Sequence, residues 1–419
     1  MFRTFSLQKI AVICLFSACL TLAGSGQAPV QDKLLNGLKV LMWSDTSAAK
    51  VNLKLRIHSG SAFDPQGKEG AMQLLADSLF PDAASKEFFT EDLGGSLSVT
   101  ANYDYIEIDA SCKPESVTTM LDTISNAVSN PQIDKDTTAK VRTALLARLA
   151  VLEADPAYVA DQAAAKRLLG TFPYGRPQMG STASVSKLEY ADVIDMKLRF
   201  LLADNATMVL SGNFDRAQTM RALRREFGPW LKGDKKAPST FAQPDAPPAA
   251  LLTVASPKSD SGAIRFATRG VGRGGPNFAA ATVYAKIVES RIKALVPPAH
   301  TADVFARNDA YVLPGTFTVG FAMTKADGGS KVEANDIVPK ALNQTVTEAE
   351  FNSARAAAAA AWATRDVTSF WLDMDTYHTT NVDADRRAFE KLQLSDVQAA
   401  ASLISTGGMV SVLVNSPAE

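Results

Sequence analysis

The stretch Gly70-Ala71-Met72-Gln73-Leu74-Leu75-Ala76-Asp77-Ser78-Leu79-Phe80 decides the fold. Its apolar residues Met72, Leu75 and Leu79 recur at i, i+3 and i+7, the spacing of a helix with one buried face. Gln73 and Asp77 stand four apart, so their side chains share a face of that helix. Working outward, residues 38–43 and 51–57 read as strands, and 60–65 as the turn that feeds the helix. Beyond it, 85–93 reads as a shorter helix closed by Gly94-Gly95. Residues 96–101 and 103–112 read as paired strands. In the second, Ile106, Ile108, Ala110 and Cys112 alternate with Tyr105, Glu107, Asp109 and Ser111, so only one face needs burial. Helices follow at 114–128 and 134–153, then one running to about residue 169. An irregular loop at 172–177, a helix at 186–200, a strand at 206–211 and a helix at 219–226 complete this half.

The chain has 419 residues, 46% hydrophobic and 21% charged, with a net charge of −1. That is enough apolar material for about two domains and too little charge for a disordered chain. Near-neutrality without a basic stripe argues against a nucleic-acid partner. Arg3 and Lys9 precede an apolar run from Ile10 to Leu22 and the small residues Ala23 to Gly26. That is the layout of a secretory signal over 1–28, cut near Ala23 or Ala28. Removing its two cations takes the net charge from −1 to −3. No later stretch is long enough to cross a bilayer. The expectation is an exported chain of the periplasm or cell envelope. Phe16-Ser17-Ala18-Cys19 resembles a lipobox, so Cys19 is either a lipid anchor or part of the signal's apolar run. With Cys14 also in the signal, Cys112 stands alone, makes no intrachain disulfide, and belongs near a strand end as a small buried residue.

The order of elements recurs. Residues 232–250, rich in Pro, Lys, Asp and Ala without periodicity, read as a linker. After them a strand at 261–270 and a helix from about Phe278 echo 51–60 and 70–80 at an offset of 210. Helices at 334–342 and 348–365 and a strand at 409–413 echo the later elements. The expected fold is therefore α+β, with two homologous domains over 29–231 and 251–419. Each is a mostly antiparallel or mixed sheet with helices packed on one face.

These segments, in this order, carry a resemblance. Leu35-Asn36-Gly37-Leu38-Lys39-Val40, Gly60-Ser61-Ala62-Phe63-Asp64, Leu74 to Phe80, Leu93-Gly94-Gly95-Ser96-Leu97, Phe172-Pro173-Tyr174-Gly175-Arg176-Pro177, Val209 to Asn213 and Glu289-Ser290-Arg291-Ile292 are similar to segments of the pitrilysin–insulinase (inverzincin) family of zinc metallopeptidases, in its short two-domain form. The resemblance covers nearly all of the chain after the signal. In that family a helix presents His-x-x-Glu-His. The two His and a Glu on a later helix bind zinc, and the Glu between the His residues is the general base. Here Gln73 replaces the first His, Ala76 the base and Asp77 the second His. The distant Glu aligns with Arg148, although gaps bring Glu153 closer. A neutral amide and one carboxylate do not suit zinc, and Ala76 cannot take a proton. Family members also hold substrate carbonyls with an Arg and a Tyr after the Ser-Arg segment. Val296 stands at the place of that Arg, and Tyr311 falls several residues too late for the Tyr.

The resemblance therefore implies no catalytic residue, no metal ligand and no cofactor in this chain, with zinc only in a partner. It implies the inactive subunit of an exported zinc-peptidase heterodimer, binding extended peptide and stabilising a sister chain that carries His-x-x-Glu-His. The alternative is a stand-alone structural or peptide-binding protein of the envelope, as a homodimer. A metallopeptidase with relocated ligands is the least favoured reading.

Other candidates read plainly. His58, His300 and His378 have no metal spacing between them. Gly270-Val271-Gly272-Arg273-Gly274-Gly275 lacks the Lys-Ser/Thr ending of a phosphate loop and reads as the turn before a helix. The alanine run 356–361, between Arg355 and Arg365, reads as a closely packed helix rather than a membrane element. No Ser-His-Asp or Cys-His arrangement assembles from the sequence.

Overall fold

The structure is a computed structural model that describes residues 28–233, 241, 244–245, 247–258, 260–296, 303–324 and 330–415. Residues 1–27 with Cys14 and Cys19, His300 and most of the expected linker lie outside the described residues.

The first half runs β1 (Val30–Lys33), β2 (Lys39–Ser44), β3 (Val51–Ile57), α1 (Ala71–Ser78), α2 (Ala83–Glu91), β4 (Ser96–Ala101), β5 (Ile106–Cys112), α3 (Val117–Ser129), α4 (Lys135–Glu153), α5 (Pro156–Leu169), α6 (Thr182–Val185), α7 (Tyr190–Phe200), β6 (Ala206–Gly212) and α8 (Arg216–Phe227). The second runs β7 (Leu252–Ala255), β8 (Ser261–Arg269), α9 (Phe278–Lys293), β9 (Phe305–Asp309), β10 (Thr316–Thr324), α10 (Ser330–Asn343), α11 (Glu348–Ala363), α12 (Val367–Tyr377), α13 (Val382–Arg386), α14 (Leu394–Thr406) and β11 (Val410–Asn415).

Two mixed sheets result, ordered β1-β2-β6-β3-β5-β4 and β7-β11-β8-β10-β9. Apart from β1 the two orders are the same. β2 runs parallel to β6 as β7 does to β11, and the remaining pairs are antiparallel. β3 and β8, like β5 and β10, begin 210 residues apart. The α+β repeat read from the sequence is a repeat of topology.

Alternation decides which sheet face is inside. Val51, Leu53, Leu55 and Ile57 of β3 lie beside Ile106, Ile108, Ala110 and Cys112 of β5, all buried. Onto them pack Met72 and Leu75 of α1, Leu121 and Ile124 of α3, and Leu145 and Leu149 of α4. In the second half Phe266, Phe317 and Val319 meet Tyr284 and Val288 of α9 and Val397 of α14.

Several boundaries differ from the sequence reading. The strand expected from residue 103 starts at Ile106, because the Asn102 Oδ1 accepts from the amides of Asp104 and Tyr105 at 2.8 and 2.9 Å. That side chain closes a tight turn in place of extended chain. The helix expected over 186–200 begins later, at Tyr190, since Glu189 and Asp192 cap each other's backbone and start α7 there. β1, α6, β7, β9, β10, α12, α13 and α14 were not foreseen.

Each sheet has a second face, and the chain covers it by crossing over. α5 of the first half lays Ala160, Ala164 and Leu168 on Ala263, Ala267, Val410, Val412 and Val414 of the second sheet. Residues at i, i+4 and i+8 share a helix face, and the two alanines let the helix approach closely. Conversely, α12 lies on the first sheet, with Leu372 against Leu41 and Val209. Around that small apolar contact the interface is ionic. Arg56 of β3 donates to Glu107 at 2.7 Å and to Asp373 of α12 at 2.9 Å. Asp373 also accepts from Arg365 at 2.8 Å and Arg273 at 3.2 Å. Arg273 makes a second, two-pronged pair with Asp385 at 2.7 and 3.0 Å. Burial alone would raise the Asp373 carboxyl, but Arg365, Arg56 and Arg273 hold it below the usual range. The Gly270–Gly275 segment is thus a turn, as expected, whose Arg273 fastens α12 and α13. Nothing in a glycine-rich run signals that role.

His58, just past β3, sits in the same interface. Its Nδ1 lies 3.1 Å from Thr376 Oγ1 and its Nε2 3.0 Å from Thr207 Oγ1. Thr207 donates to Asp375 at 2.7 Å, which leaves Nε2–H of His58 as the donor to Thr207. Burial pushes the imidazole down to about 4, against the opposing pull of Asp375.

Two outcomes follow from this interface. Asp373→Asn keeps the volume but leaves the three arginines short of their shared charge, and should cost about 3–5 kcal/mol in urea unfolding. His58 is neutral when folded, while in the unfolded chain it takes a proton near about pH 6.5. The unfolded state therefore binds more protons between there and about pH 4. Stability should fall as pH drops through that window. Urea midpoints for His58→Gln should fall less steeply across it than those of the wild type.

Candidate functional site

The frame of the site is built before any reactive group enters it. Asp64, buried in the turn after β3, accepts from the amides of Gly70 at 2.7 Å and Met72 at 2.8 Å, and so fixes the first turn of α1. Burial pushes this carboxyl up to about 7, against those two amide bonds and Arg176. Arg176 holds the turn from the other side, donating to the carbonyls of Asp64 at 2.6 Å and Ala62 at 3.0 Å. Gly70 has φ +98°, and a Cβ there would lie 2.7 Å from the Met179 carbonyl oxygen. Only glycine fits both demands. The quoted segments around 60–64, 70–80 and 172–177 therefore meet in space.

On this frame Gln73 and Asp77 face α4. Gln73 Nε2 donates to Asp77 Oδ1 at 2.8 Å, and Arg148 Nη2 donates to Asp77 Oδ2 at 2.6 Å. Gln73 is buried, the Asp77 side chain is 20% exposed and that of Arg148 47%. Ala76 is buried between them in sequence and brings only a methyl group. Glu153, the other residue considered for this place, is turned elsewhere. Its two oxygens accept from Thr182 N at 2.8 Å and Thr182 Oγ1 at 2.7 Å, capping α6. Of the two it is Arg148 that reaches α1.

This donor set does not fit a zinc ion. Both Asp77 oxygens are already engaged, one of them by a guanidinium that would repel a cation, and Gln73 offers one weak neutral oxygen. Among the described residues no three His, Cys, Asp or Glu side chains converge so as to hold a metal. The second-half positions are spoken for as well. Val296 packs against the second core, and the Tyr311 ring lies 5.0 and 4.6 Å from those of Tyr103 and Tyr174.

Beside the ion pair runs a groove of about 310 Å3, lined by Asp77, Phe80, Lys86, Leu97, Val99, Lys140, Val141 and Arg148 among others. Its rim is β4, which ends the first sheet. The Asn102 amide bonds the Tyr105 carbonyl at 2.9 Å, which sets the alternation of the β4–β5 ladder. Leu97 and Val99 then fall at the positions whose main-chain groups turn away from β5. At the ends the edge is closed. Gly95 N–H goes to the Phe89 carbonyl at 2.7 Å, and the Ala101 carbonyl accepts from Gln178 at 3.0 Å. Sequence reasoning missed this rim and the lysines. Lys140, Ala144 and Arg148 at four-residue spacing were readable as one face of α4, but nothing in the sequence said that this face meets β4.

A larger cavity of about 530 Å3 lies between the halves, with His58, Asp104, Tyr174, Asp375 and His378 in its wall. Its polar groups largely serve one another. Asp104 accepts from Tyr174 Oη at 2.8 Å and from the Val312 amide at 3.0 Å, and burial raises it to about 6.

Known proteins share this architecture. Residues 39–181 match the family described as Insulinase (Peptidase family M16), and residues 187–358 match Peptidase M16 inactive domain. A Mycobacterium tuberculosis chain described as an uncharacterized zinc protease is 22% identical over 206 residues, 48% of this chain and 47% of the relative. The chain thus spans about half the length of the curated relatives it matches. A peptidase M16 inactive domain from Pseudomonas fluorescens superposes with a TM-score of 0.80 at 20% identity, over 94% of this chain and 98% of its own. A protease from Helicobacter pylori does so with a TM-score of 0.79 at 13% identity, over 93% and 100%. Those likenesses establish a common fold, and the two adjoining family matches establish descent: the chain belongs to the insulinase family, peptidase family M16.

Proposed function

We propose that this chain is a non-catalytic M16 homologue that binds extended peptide, and that it does so as the silent subunit of an exported zinc peptidase. One observation carries the reading. Where zinc-binding family members present a metal, Arg148 and Asp77 make a 2.6 Å ion pair beside a neutral amide, and residue 76 is alanine. A hydrolase of this class needs a metal-activated water and a base, and neither has a place to stand. The fold's other asset remains. β4 keeps an unpaired edge on which an extended peptide can add a strand through main-chain hydrogen bonds. The apolar run 10–22 behind Arg3 and Lys9 supports export. Retention of the whole two-domain frame without its metal chemistry supports a role beside a sister chain that supplies it.

The test is to isolate the tagged protein from its native envelope, identify what accompanies it, and assay the purified chain for zinc and for peptide cleavage. A sister chain bearing His-x-x-Glu-His in stoichiometric amount, with no zinc and no cleavage in the chain alone, is the expected result. Recovery of the chain only as a homodimer would favour a stand-alone envelope protein. Stoichiometric zinc with chelator-sensitive cleavage by the chain itself would overturn the reading.

A further inference from the structure

We propose that the groove beside β4 selects acidic peptides, with Arg148 receiving the carboxylate of an aspartate or glutamate side chain. The proposal rests on the peptide-binding reading above and names the class of ligand.

Strand parity fixes where the ligand's side chains go. A peptide pairing with Leu97 and Val99 sets the residues opposite them on the same face of the extended sheet. That face is the groove side, since Leu97 and Val99 line the groove. Every second peptide side chain therefore points toward α1 and α4. Of the charged side chains lining the groove, Lys86, Lys140 and Arg148 are cationic and only Asp77 is anionic. Lys140 is paired with Asp82, and among the described residues Lys86 makes no ion pair.

Arg148 is suited to the task. Asp77 engages Nη2 on one edge of a planar group with five donors, and nearly half of the side chain is exposed. Asp77 in turn holds the guanidinium in place, so less rotamer freedom is lost on binding. The floor formed by Leu97, Val99 and Val141 is apolar. A carboxylate there meets the guanidinium in a medium less screening than bulk water. A neutral peptide would gain the main-chain bonds but leave the Lys86 ammonium and the remaining donors of Arg148 without an anionic partner.

End-blocked fluorescent octapeptides, acetylated and amidated and differing only by Glu or Gln at one inward position, would test the proposal by anisotropy on the full chain. The Glu peptide should bind about tenfold more tightly at low salt, and the margin should shrink as salt is added. Arg148→Gln should erase the margin between the two peptides. Val99→Pro, which removes the outward N–H, should weaken both peptides alike.

Equal affinity for Glu and Gln peptides, or a margin that survives Arg148→Gln, would overturn the selectivity and leave the peptide-binding reading standing. Tight binding only of peptides with a free C-terminal carboxylate would also overturn it. If neither blocked peptide binds the wild type, the peptide-binding reading itself fails, and this proposal with it.

Discussion

A sheet with two faces must cover both, and this chain meets that demand by exchanging one helix between its halves. The two contacts are solved in opposite ways. α5 meets an apolar sheet face of Ala263, Ala267 and three valines, where alanines allow close approach and burial supplies the driving force. α12 meets a face that carries Lys39, Lys54 and Arg56, and answers it with Asp375, Asp366 and Asp373. The ionic side adds little through its charges alone, because desolvation consumes most of the attraction. What it adds is registry. Asp373 is satisfied only when residues from β3, the loop before α9 and the end of α11 all arrive together. An echo of the arrangement appears on the apolar side, where Arg265 of β8 reaches Asp161 of α5 at 2.5 Å.

The shape of the site region is likewise held from outside the residues at its centre. α1 is positioned by Asp64, Gly70 and Arg176, none of which belongs to the five residues 73–77. A buried polar side chain at 73 still needs a partner, however, and a carboxylate at 77 would be costly beside apolar neighbours without one. Arg148 on α4 and the Gln73 amide resolve both needs with two hydrogen bonds. The Arg148 end of the pair is nearly half open to water, so the ion pair by itself adds little stability.

Much of this was legible in the sequence, and the failures have physical reasons. The strict alternation in 106–112, the helical stripe of Met72, Leu75 and Leu79, and the recurrence at 210 residues all come from burial of one face, which leaves a periodic trace. β1 leaves none, since Val30-Gln31-Asp32-Lys33 is a short, mostly exposed edge strand held by β2 alone. α12 leaves a misleading one, because its inward face carries Asp373 and Thr376 as well as Leu372. A polar inward face looks like a solvated one until the arginines it meets are known. Arg273 was hidden among glycines for the same reason. At the site, the sequence put both Arg148 and Glu153 on one helix without saying which of them reaches α1. The direction of Glu153 toward α6 needed the fold.

An open strand edge is ordinarily a hazard, since it invites pairing with other chains. The edge of β4 is limited on both sides, by the Phe89 carbonyl taking the Gly95 amide and by Gln178 taking the Ala101 carbonyl. Between those two bonds lie the outward main-chain groups of Leu97 and Val99. That opening is too short to seed a growing sheet, and its rim of lysine and arginine repels chains of like charge. It is long enough for one passing peptide strand. An edge narrowed in this way resists open-ended pairing while leaving room for one short extended strand.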